Sequence, residues 1–339
     1  MSFVHLHTHS EFSLLDGAIR VNDLIDKAIE YEMPAVAITD HGNMFAAVKF
    51  FKDAKKAGIK PIIGEEFYVN PYGMEHRKIE PGTPQAGYHL TLLAKNEKGW
   101  KNIMKLSTAS YTKGFYYKPK IDKEFLQDHA EGIVALSGCI QGQVPALLRH
   151  NKDAEAKKLA LELRDMFGPE NFFIELMDHG FDDEVAVLPK LIQLSRDLGI
   201  PTVATNDAHY LNKSDAKFHD ILLAVGTKQE RDDVTRKMRF LPNEELYFKS
   251  PDEMRRLFAE VPESCDNTLK IAEMIEFEMD IGNLHFPSYR LPEGQTIEEY
   301  LRYESEQGML ERYGKDIPKE HTDRLEHELK IINDMGCPG

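Results

Sequence analysis

The stretch HLHTH at residues 5–9 follows a short apolar run and places histidines at alternate positions. In a β-strand, alternate side chains point to the same face, so this spacing puts His5, His7 and His9 together. Two such imidazoles can chelate one cation. For this pattern taken alone, solvated or core histidines are an equally good explanation, so the rest of the sequence must decide.

Short apolar, β-branched runs recur through the first two-thirds of the chain, and each is followed by a segment with helical periodicity. This alternation predicts an α/β fold with a mostly parallel sheet, either open or closed into a barrel. The predicted strands cover residues 3–7, 34–39, 61–69, 88–94, 132–137, 172–176 and 201–205. The predicted helices between them cover residues 21–31, 44–57, 98–111, 153–167 and 183–198.

The pattern changes near residue 283. A connector with two prolines, LHFPSYRLPEGQT at residues 284–296, leads to helical segments at 297–313 and 319–335. We therefore expect one main domain at residues 1–280. Residues 281–339 are expected to form the connector and a helical tail.

The charge composition of the chain limits which binding partners can be expected. The chain has 339 residues, with 42 Lys and Arg against 57 Asp and Glu, and a formal net charge of −15. This balance opposes a strong general affinity for the nucleic acid backbone. It does not exclude a small phosphate ester or a single nucleic acid end held by metal ions.

Cysteine use and hydropathy predict a cytoplasmic protein. Cys139, Cys265 and Cys337 form no CxxC pair and no disulfide framework, as is typical of a reducing compartment. The first residues lack a secretory signal, and no apolar run approaches the ~20 residues needed to span a bilayer. We expect no membrane association.

Residues able to bind metal recur near the predicted strand ends, where barrel and open α/β enzymes build their sites. Each has an ordinary structural explanation by itself, such as a buried thiol or a core histidine, but their shared placement favours one site. These residues are Asp40 and His41, Glu66, His89, Cys139, Asp207 and His209. The other histidines, expected to be scattered over helix surfaces, include His76, His129, His150, His219, His321 and His327.

The ligands are too numerous for one ion, because zinc takes about four and a catalytic site leaves one position to water. Two or three ions are therefore expected. Imidazole, carboxylate and thiolate together suit zinc, whereas manganese or iron would accept the histidines and carboxylates. Glu66 or Asp207 could bridge two ions, and closely spaced ions share a hydroxide and clamp the oxygens of a phosphate. The sequence predicts phosphoester hydrolysis.

Six ordered motifs carry a family resemblance: HLHTHSEFSLLDGA, AITDHGN, GIKPIIGEEFYV, YHLTLLAKN, ALSGCI and ATNDAHYL. They resemble the PHP (polymerase and histidinol phosphatase) superfamily over residues 1–280. Within it they are most similar to the PHP domains at the N-terminus of bacterial DNA polymerase III alpha subunits. The tail RLEHELKIINDMG resembles the helix that leads into the palm of that polymerase. The resemblance implies a distorted TIM-like (β/α)7 barrel with a trinuclear metal site.

The resemblance also implies which residues hold each ion. One set is His7, His9, Glu66 and Asp207; a second is Glu66, His89 and Cys139; a third is Asp16, His41 and His209. Asp16 is included on the resemblance alone. His5 stands where many members have Asp, so we expect it to support the ligands and not to bind metal.

An intact ligand set implies retained hydrolysis by a metal-bound hydroxide, with Glu66 and Asp207 as bridging or orienting carboxylates. In the family this means phosphatase, phosphodiesterase or proofreading 3′–5′ exonuclease activity. The expected partners are a phosphate ester, a DNA 3′ end and the remainder of a polymerase. The catalytic aspartates of the polymerase lie beyond residue 339, so we do not expect this chain to synthesise DNA.

Several further residues are candidates for supporting the ligands or contacting substrate. Tyr116, Tyr117 and Lys118, in the loop GFYYKPKID, could contact a phosphate or aryl group, and packing against a neighbouring loop is equally consistent. Asp40, Glu175 and His179, near strand ends, are further candidates.

Two alternative functions remain. One is a non-catalytic structural and interaction domain of a replicative DNA polymerase. The other is an amidohydrolase-like enzyme, which the order of the motifs disfavours.

Overall fold

Strands buried on both faces form the centre of the molecule. Within the residues that the computed structural model describes, 2–78, 80–236, 238–283 and 289–339, seven strands form one sheet, and all their residues except Lys60 are buried. Burial of both faces is typical of sheets covered by helices. The strands are β1 (Ala35–Ile38), β2 (Lys60–Val69), β3 (Tyr88–Ala94), β4 (Lys120–Ile121), β5 (Ile133–Leu136), β6 (Phe172–Leu176) and β7 (Thr202–Ala204).

The sheet runs in the order β1-β2-β3-β5-β6-β7, and β4 pairs with β2. Most pairs are parallel, as predicted, but β3 is antiparallel to both β2 and β5. The described part of the β2–β3 connection contains no helix, so the chain returns beside β2 without the crossover that a parallel pair needs. As a result β3 begins, and does not end, at the edge where β2 ends.

The predicted first strand at residues 3–7 is wrong in detail, because this segment is irregular. It nevertheless links the two ends of the sheet. On one side Ala37 N donates to His5 O at 2.9 Å, next to β1. On the other, His9 N donates to Ala208 O at 2.9 Å, just after β7. The segment therefore closes the curled sheet into a distorted barrel.

Helices cover the sheet, and the predicted α/β class is confirmed. In α1 the buried residues Val21, Leu24, Ile25 and Ala28 recur at helical spacing and form one apolar face. The five predicted helices of this region correspond to α1 (Val21–Glu30), α2 (Ala47–Ala57), α3 (Glu97–Thr112), α6 (Asp153–Phe167) and α7 (Asp182–Leu198). The sequence did not predict α4 (Lys123–Gln127), α5 (Gln143–Arg149), α8 (Ala216–Thr227), α9 (Pro251–Leu257) and α10 (Pro262–Met274).

The chain divides into two compact units, Met1–Met279 and Asp280–Gly339. The second contains the predicted helical tail as α11 (Ile297–Tyr313) and α12 (Lys319–Asp334). Arg302 of α11 forms an ion pair with Glu326 of α12 at 2.5 Å. Part of the predicted connector, residues 284–288, lies outside the described residues. Among the described residues, no helix has both the length and the apolar character to cross a membrane.

Candidate metal centre

The fold gathers the nine predicted ligands at one end of the barrel. They come from the closing segment, the loop after it, and the strands or the turns that follow them. His89 joins them although it begins its strand, because the antiparallel β3 places it opposite Tyr68 near the end of β2. These predicted ligands are His7, His9, Asp16, His41, Glu66, His89, Cys139, Asp207 and His209.

Glu66 lies at the centre of this cluster and is 1% exposed. Its Oε1 lies 2.6 Å from His89 Nδ1 and 3.7 Å from Cys139 Sγ. Its Oε2 also pairs with His41 Nδ1. The Glu66 carboxylate thus contacts side chains that lie in or just after three different strands, as a carboxylate that bridges two ions would. Two more imidazoles lie near Glu66, with His7 Nε2 3.5 Å from its Oε1 and His9 Nε2 3.7 Å from its Oε2.

Hydrogen bonds fix the orientation of His7 and His9. His7 Nδ1 lies 2.8 Å from Glu175 Oε1, which only accepts, so the neutral ring carries its proton on Nδ1. Ser13 Oγ donates to Asp40 at 2.8 Å and so accepts from His9 Nδ1 at 3.0 Å. Each ring therefore presents its Nε2 to the cluster. These two nitrogens face each other at 3.1 Å.

A third group of ligands forms around Asp16. Its Oδ2 lies 3.3 Å from His41 Nε2 and 3.9 Å from His209 Nε2. His209 Nδ1 donates to the carbonyl of Asp207 at 2.7 Å, which leaves its Nε2 free to bind an ion. The loop that carries Asp16 is tightly packed, since a Cβ added to Gly17 would lie 1.9 Å from Ser10 O.

The donor atoms fit divalent cations. Asp16 Oδ1 is buried without a hydrogen-bond partner among the described residues, and Glu66 Oε2 and Asp207 Oδ1 are buried against the rings of His41 and His9 without a well-aligned hydrogen bond. Such groups are costly to bury unless something else binds them. Donor atoms lie within 4.8 Å of one another in three sets, namely His7–His9–Glu66, His9–His41–His209 and His41–Glu66–His89. The assignment of ligands to individual ions stays a prediction.

Charges within the cluster shift the pKa values of its members. Burial acts to raise the pKa of Glu66, but His89 and His41 hold it well below its ordinary value. His7 and His209 likewise hold the pKa of Asp207 well below its ordinary value, although burial acts to raise it. Both carboxylates are therefore ionised and available as ligands at neutral pH.

The pKa values of His7 and His9 shift in opposite directions. Burial acts to lower the pKa of His7, but Asp207 and Glu175 outweigh burial and raise that pKa well above its ordinary value. Burial, together with His41 and His209, lowers the pKa of His9 to about 3. Without a cation, one proton is therefore held between the two rings, and a metal ion must displace it.

Of the proposed supporting residues, Glu175 contacts the predicted ligand His7 directly, and Asp40 acts on His9 through Ser13. Asp40 accepts from Ser10 and Ser13 and thereby anchors the loop under His9. Glu175 accepts from Thr205 Oγ1 at 2.7 Å as well as from His7. Both are buried, so their orientation is fixed by these bonds.

His5 and His179 support other parts of the fold. His5 Nε2 bonds to Lys249 O at 2.8 Å, and its ring packs on Phe248 with centroids 4.1 Å apart. It is not directed at the cluster, so the expected grouping of three imidazoles is wrong for His5. His179 bonds to Glu184 and to the carbonyl of Asn206, just before Asp207.

The loop with Tyr116 and Lys118 lies at the edge of the metal centre. Lys118 Nζ is 5.2 Å from the centroid of the Tyr68 ring. Tyr68 in turn packs edge-on against His89, with centroids 5.1 Å apart. Tyr117 is exposed, with a positive φ. Lys118 is thus the member of the predicted trio that contacts Tyr68, beside His89.

His219 is a residue that the sequence reasoning missed. It was expected on a helix surface, but it is 2% exposed. Its Nε2 donates to the backbone carbonyl of Asp16 at 2.8 Å. Burial lowers the pKa of His219 to about 4, so the ring is neutral and donates one proton. No local signal in the sequence connects this helix with the loop of Asp16.

A family model and several curated proteins match this chain. The family model described as "PHP domain" matches residues 5–179. The DNA polymerase III subunit alpha of Borreliella burgdorferi is 42% identical, over 99% of this chain and 29% of the relative. The chain spans less than a third of the length of the curated relatives it matches.

Solved structures show only distant likeness. One is an amidohydrolase from Chromobacterium violaceum, 14% identical, with a TM-score of 0.36 over 61% of this chain and 87% of that chain. Another is a two-domain protein from Bacteroides vulgatus containing a predicted PHP-like metal-dependent phosphoesterase. It is 16% identical, with a TM-score of 0.34 over 61% of this chain and 52% of that chain.

Proposed function

We propose that this chain, which belongs to the PHP domain family, is a metal-dependent phosphoesterase. One observation carries the proposal, namely that the Nε2 atoms of His7 and His9 face each other across 3.1 Å with Glu66 and Asp207 beside them. A proton lies between the two rings when no cation is bound, and a divalent ion that displaced it would be bound by both nitrogens. Glu175 and Ser13 hold both rings in this orientation, as outer partners of metal ligands do.

The nine ligands would hold three divalent ions, with zinc as the first candidate and manganese or iron as alternatives. When bound, such ions activate water and neutralise the charge of a phosphate. Glu66 and Asp207 would orient the ions as bridging carboxylates. Lys118 would attract the phosphate group from the edge of the site, since its ammonium lies 5.2 Å from the Tyr68 ring.

The reaction can be tested with p-nitrophenyl phosphate and bis-p-nitrophenyl phosphate, using metal-loaded and chelated protein. We expect turnover only with metal, and a loss of about 100-fold or more in His9→Ala and Asp207→Ala. His150→Ala and His321→Ala are matched controls, because neither residue belongs to the cluster, and both should keep the wild-type rate. Absence of turnover on every ester would refute the proposal, as would full activity of either ligand variant.

The type of ester is a further part of the proposal. The polymerase alpha subunits among the relatives support a DNA 3′ end as substrate, with 3′–5′ exonuclease activity as the form of hydrolysis. Comparison of rates on a monoester, a diester and a 3′-mismatched primer would test this. Equal rates on matched and mismatched primers would argue against proofreading.

A second candidate function is a structural and interaction domain of a replicative polymerase. The observation that favours it is that the chain spans only 29% of a relative named DNA polymerase III subunit alpha. In that case the remainder of the polymerase would be the partner, in the cytoplasm. Bound metal without turnover, together with loss of polymerase stability when His9 is replaced, would support it over hydrolysis.

A further inference from the structure

We propose that a surface made of two adjoining grooves is an interface between two copies of this chain. The grooves lie on either side of Phe125, one along helix α3 and the other beside the β2–β3 connection. One groove carries unpaired positive side chains and the other carries unpaired negative ones. Such a surface can pair with itself about a two-fold axis. The inference depends neither on hydrolysis nor on bound metal.

The first groove, which we call the basic groove, has a volume of about 520 Å³. Lys105 and Lys113 are exposed and form no ion pair with another described residue. Lys98 and Lys101 do have partners, each being paired with a nearby glutamate, at 3.4 Å and 2.6 Å. Two ammonium groups in this groove therefore remain available to a ligand. The main lining residues are Lys98, Lys101, Met104, Lys105, Lys113 and Phe125.

The second groove, which we call the acidic groove, has a volume of about 570 Å³. Glu75, Glu124 and Asp128 are exposed and form no ion pair with another described residue. Asp122 is already occupied, because it accepts from the backbone N–H groups of Phe125 and Met74 at 2.8 Å each. Three carboxylates of this groove therefore face solvent without a counter-charge. The main lining residues are Tyr72, Glu75, Lys113, Asp122, Glu124 and Asp128.

The two grooves meet at Phe125, which lines both. Its ring packs against His129, with centroids 4.3 Å apart, and Lys113 Nζ lies 5.7 Å from its centroid. Each groove also exposes one large apolar side chain, Met104 at 36% and Tyr72 at 52%. The surface thus has an aromatic centre with opposite charges on its two sides.

A two-fold axis through such a centre places the basic groove of each copy against the acidic groove of the other. In an isologous interface every contact occurs twice, so both sets of charges are matched at once. Met104 and Tyr72 would then contribute apolar contacts between the charged rims, as is usual for the core of an interface.

Other ligands match only half of this surface. A nucleic acid strand or an acidic peptide would fit the basic groove and would lie beside the three unpaired carboxylates of the acidic one. A basic peptide would meet the reverse problem. Like charges side by side oppose binding. A second copy carries both signs in the required arrangement, and this favours it as the partner.

The net charge of −15 affects how the interface must be tested. Two copies repel each other at long range, whereas the opposite charges of the grooves attract at short range. Salt screens both effects, so its influence on association has no fixed sign. Reversal of charges within one groove separates them.

The test uses two charge-reversed variants of the full chain. Lys105→Glu/Lys113→Glu makes both grooves acidic, and Glu124→Lys/Asp128→Lys makes both basic. All four side chains are exposed, so the fold does not depend on their burial. Sedimentation equilibrium between about 1 and 500 µM protein measures the dissociation constant of the dimer.

Wild type should shift from the mass of one chain, 38.8 kDa, to twice that mass as its concentration rises. Each reversed variant alone should associate about tenfold more weakly or not at all, because like charges then face each other. An equimolar mixture of the two should recover the wild-type dissociation constant within about threefold, since every acidic groove again meets a basic one. Lys157→Glu/Lys158→Glu, on an exposed face of α6, is the control with the same change of net charge as the first variant, and it should associate like wild type.

Three results would overturn the inference. Wild type that stays monomeric at every concentration shows that the grooves do not bind a second copy. Reversed variants that associate as well as wild type place the interface on another surface. A mixture that associates no better than its separate components shows that the two grooves do not face each other.

Discussion

Glu175 controls which nitrogen of His7 faces the metal centre. It accepts from His7 Nδ1 at 2.8 Å, from Thr205 and from the backbone N–H of Gly138. A ligand whose far nitrogen is held in this way loses neither proton nor orientation when an ion leaves. The carboxylate therefore matters to metal binding although it binds no metal itself.

Replacement of Glu175 by Gln should weaken metal binding by about 10- to 100-fold, because the amide can donate to His7 Nδ1 and reverse its tautomer. Competition with a chromogenic zinc chelator would measure the effect. Glu170→Gln, on an exposed turn, is the control. An unchanged affinity in Glu175→Gln would contradict this role.

His5 should make the chelated protein sensitive to acid. Burial lowers the pKa of His5 to about 4, against 6.5 in the unfolded chain. Between these pH values the unfolded state binds the extra proton, so stability falls as the pH falls from 6.5 towards 4. This difference corresponds to roughly 3 kcal/mol.

His5→Gln should therefore flatten the dependence of unfolding free energy on pH between 6.5 and 4, whatever its cost at pH 7. Urea unfolding of the chelated protein across this range measures the slope. His150→Gln, on an exposed side chain, should leave the slope as in wild type. The same slope in both variants would show that His5 does not titrate as described.

At the scale of secondary structure, helix α8 contributes to the metal centre without supplying a ligand. His219 reaches from this helix to the carbonyl of Asp16, and its ring packs between Tyr210 and Phe240. The helix therefore sets the position of the loop that carries Asp16.

His219→Phe should keep the ring packing but remove the hydrogen-bond donor. We therefore expect it to lower the affinity for an ion near Asp16, His41 and His209 by about tenfold. His219→Gln, which can still donate, should restore most of the affinity. Metal content at limiting zinc, measured by elemental analysis, reports the difference. Phe218→Ala, on the exposed face of the same helix, is the control. Equal affinities in His219→Phe and wild type would show that the bond only supports the fold.

The sequence predicted most elements because strand and helix periodicities are local properties. The sequence could not predict the direction of β3, because a short apolar run has the same pattern in a parallel and in an antiparallel strand. The sequence could predict that these side chains cluster because most lie near strand ends, but the inclusion of Asp16 required the family resemblance, and their role as metal ligands stays a prediction. The role of His219 depends on a partner 203 residues away. Only the folded chain reveals such a contact.

At the scale of the molecule, the metal centre belongs entirely to the first compact unit, Met1–Met279. All nine ligands, together with Glu175 and His219, lie within it.

A chain that ends at Met279 should therefore bind the same amount of metal, and hydrolyse the same esters within about twofold of the full chain, if the proposed function holds. Elemental analysis and aryl phosphate assays would compare the two. A shortened protein that folds but retains no metal would contradict this independence.

The segment at residues 3–9 has a consequence for synthesis of the chain on the ribosome. These residues are translated before their neighbours at Ala37 and Ala208, which lie in distant parts of the sequence. Ala208 is synthesised about 200 residues later. Until then, the apolar side chains and histidines of the segment lack their contact partners from that part of the chain. Contacts this remote slow folding. The nascent chain therefore exposes His7 and His9 before the last of the other predicted ligands, Asp207 and His209, have been made.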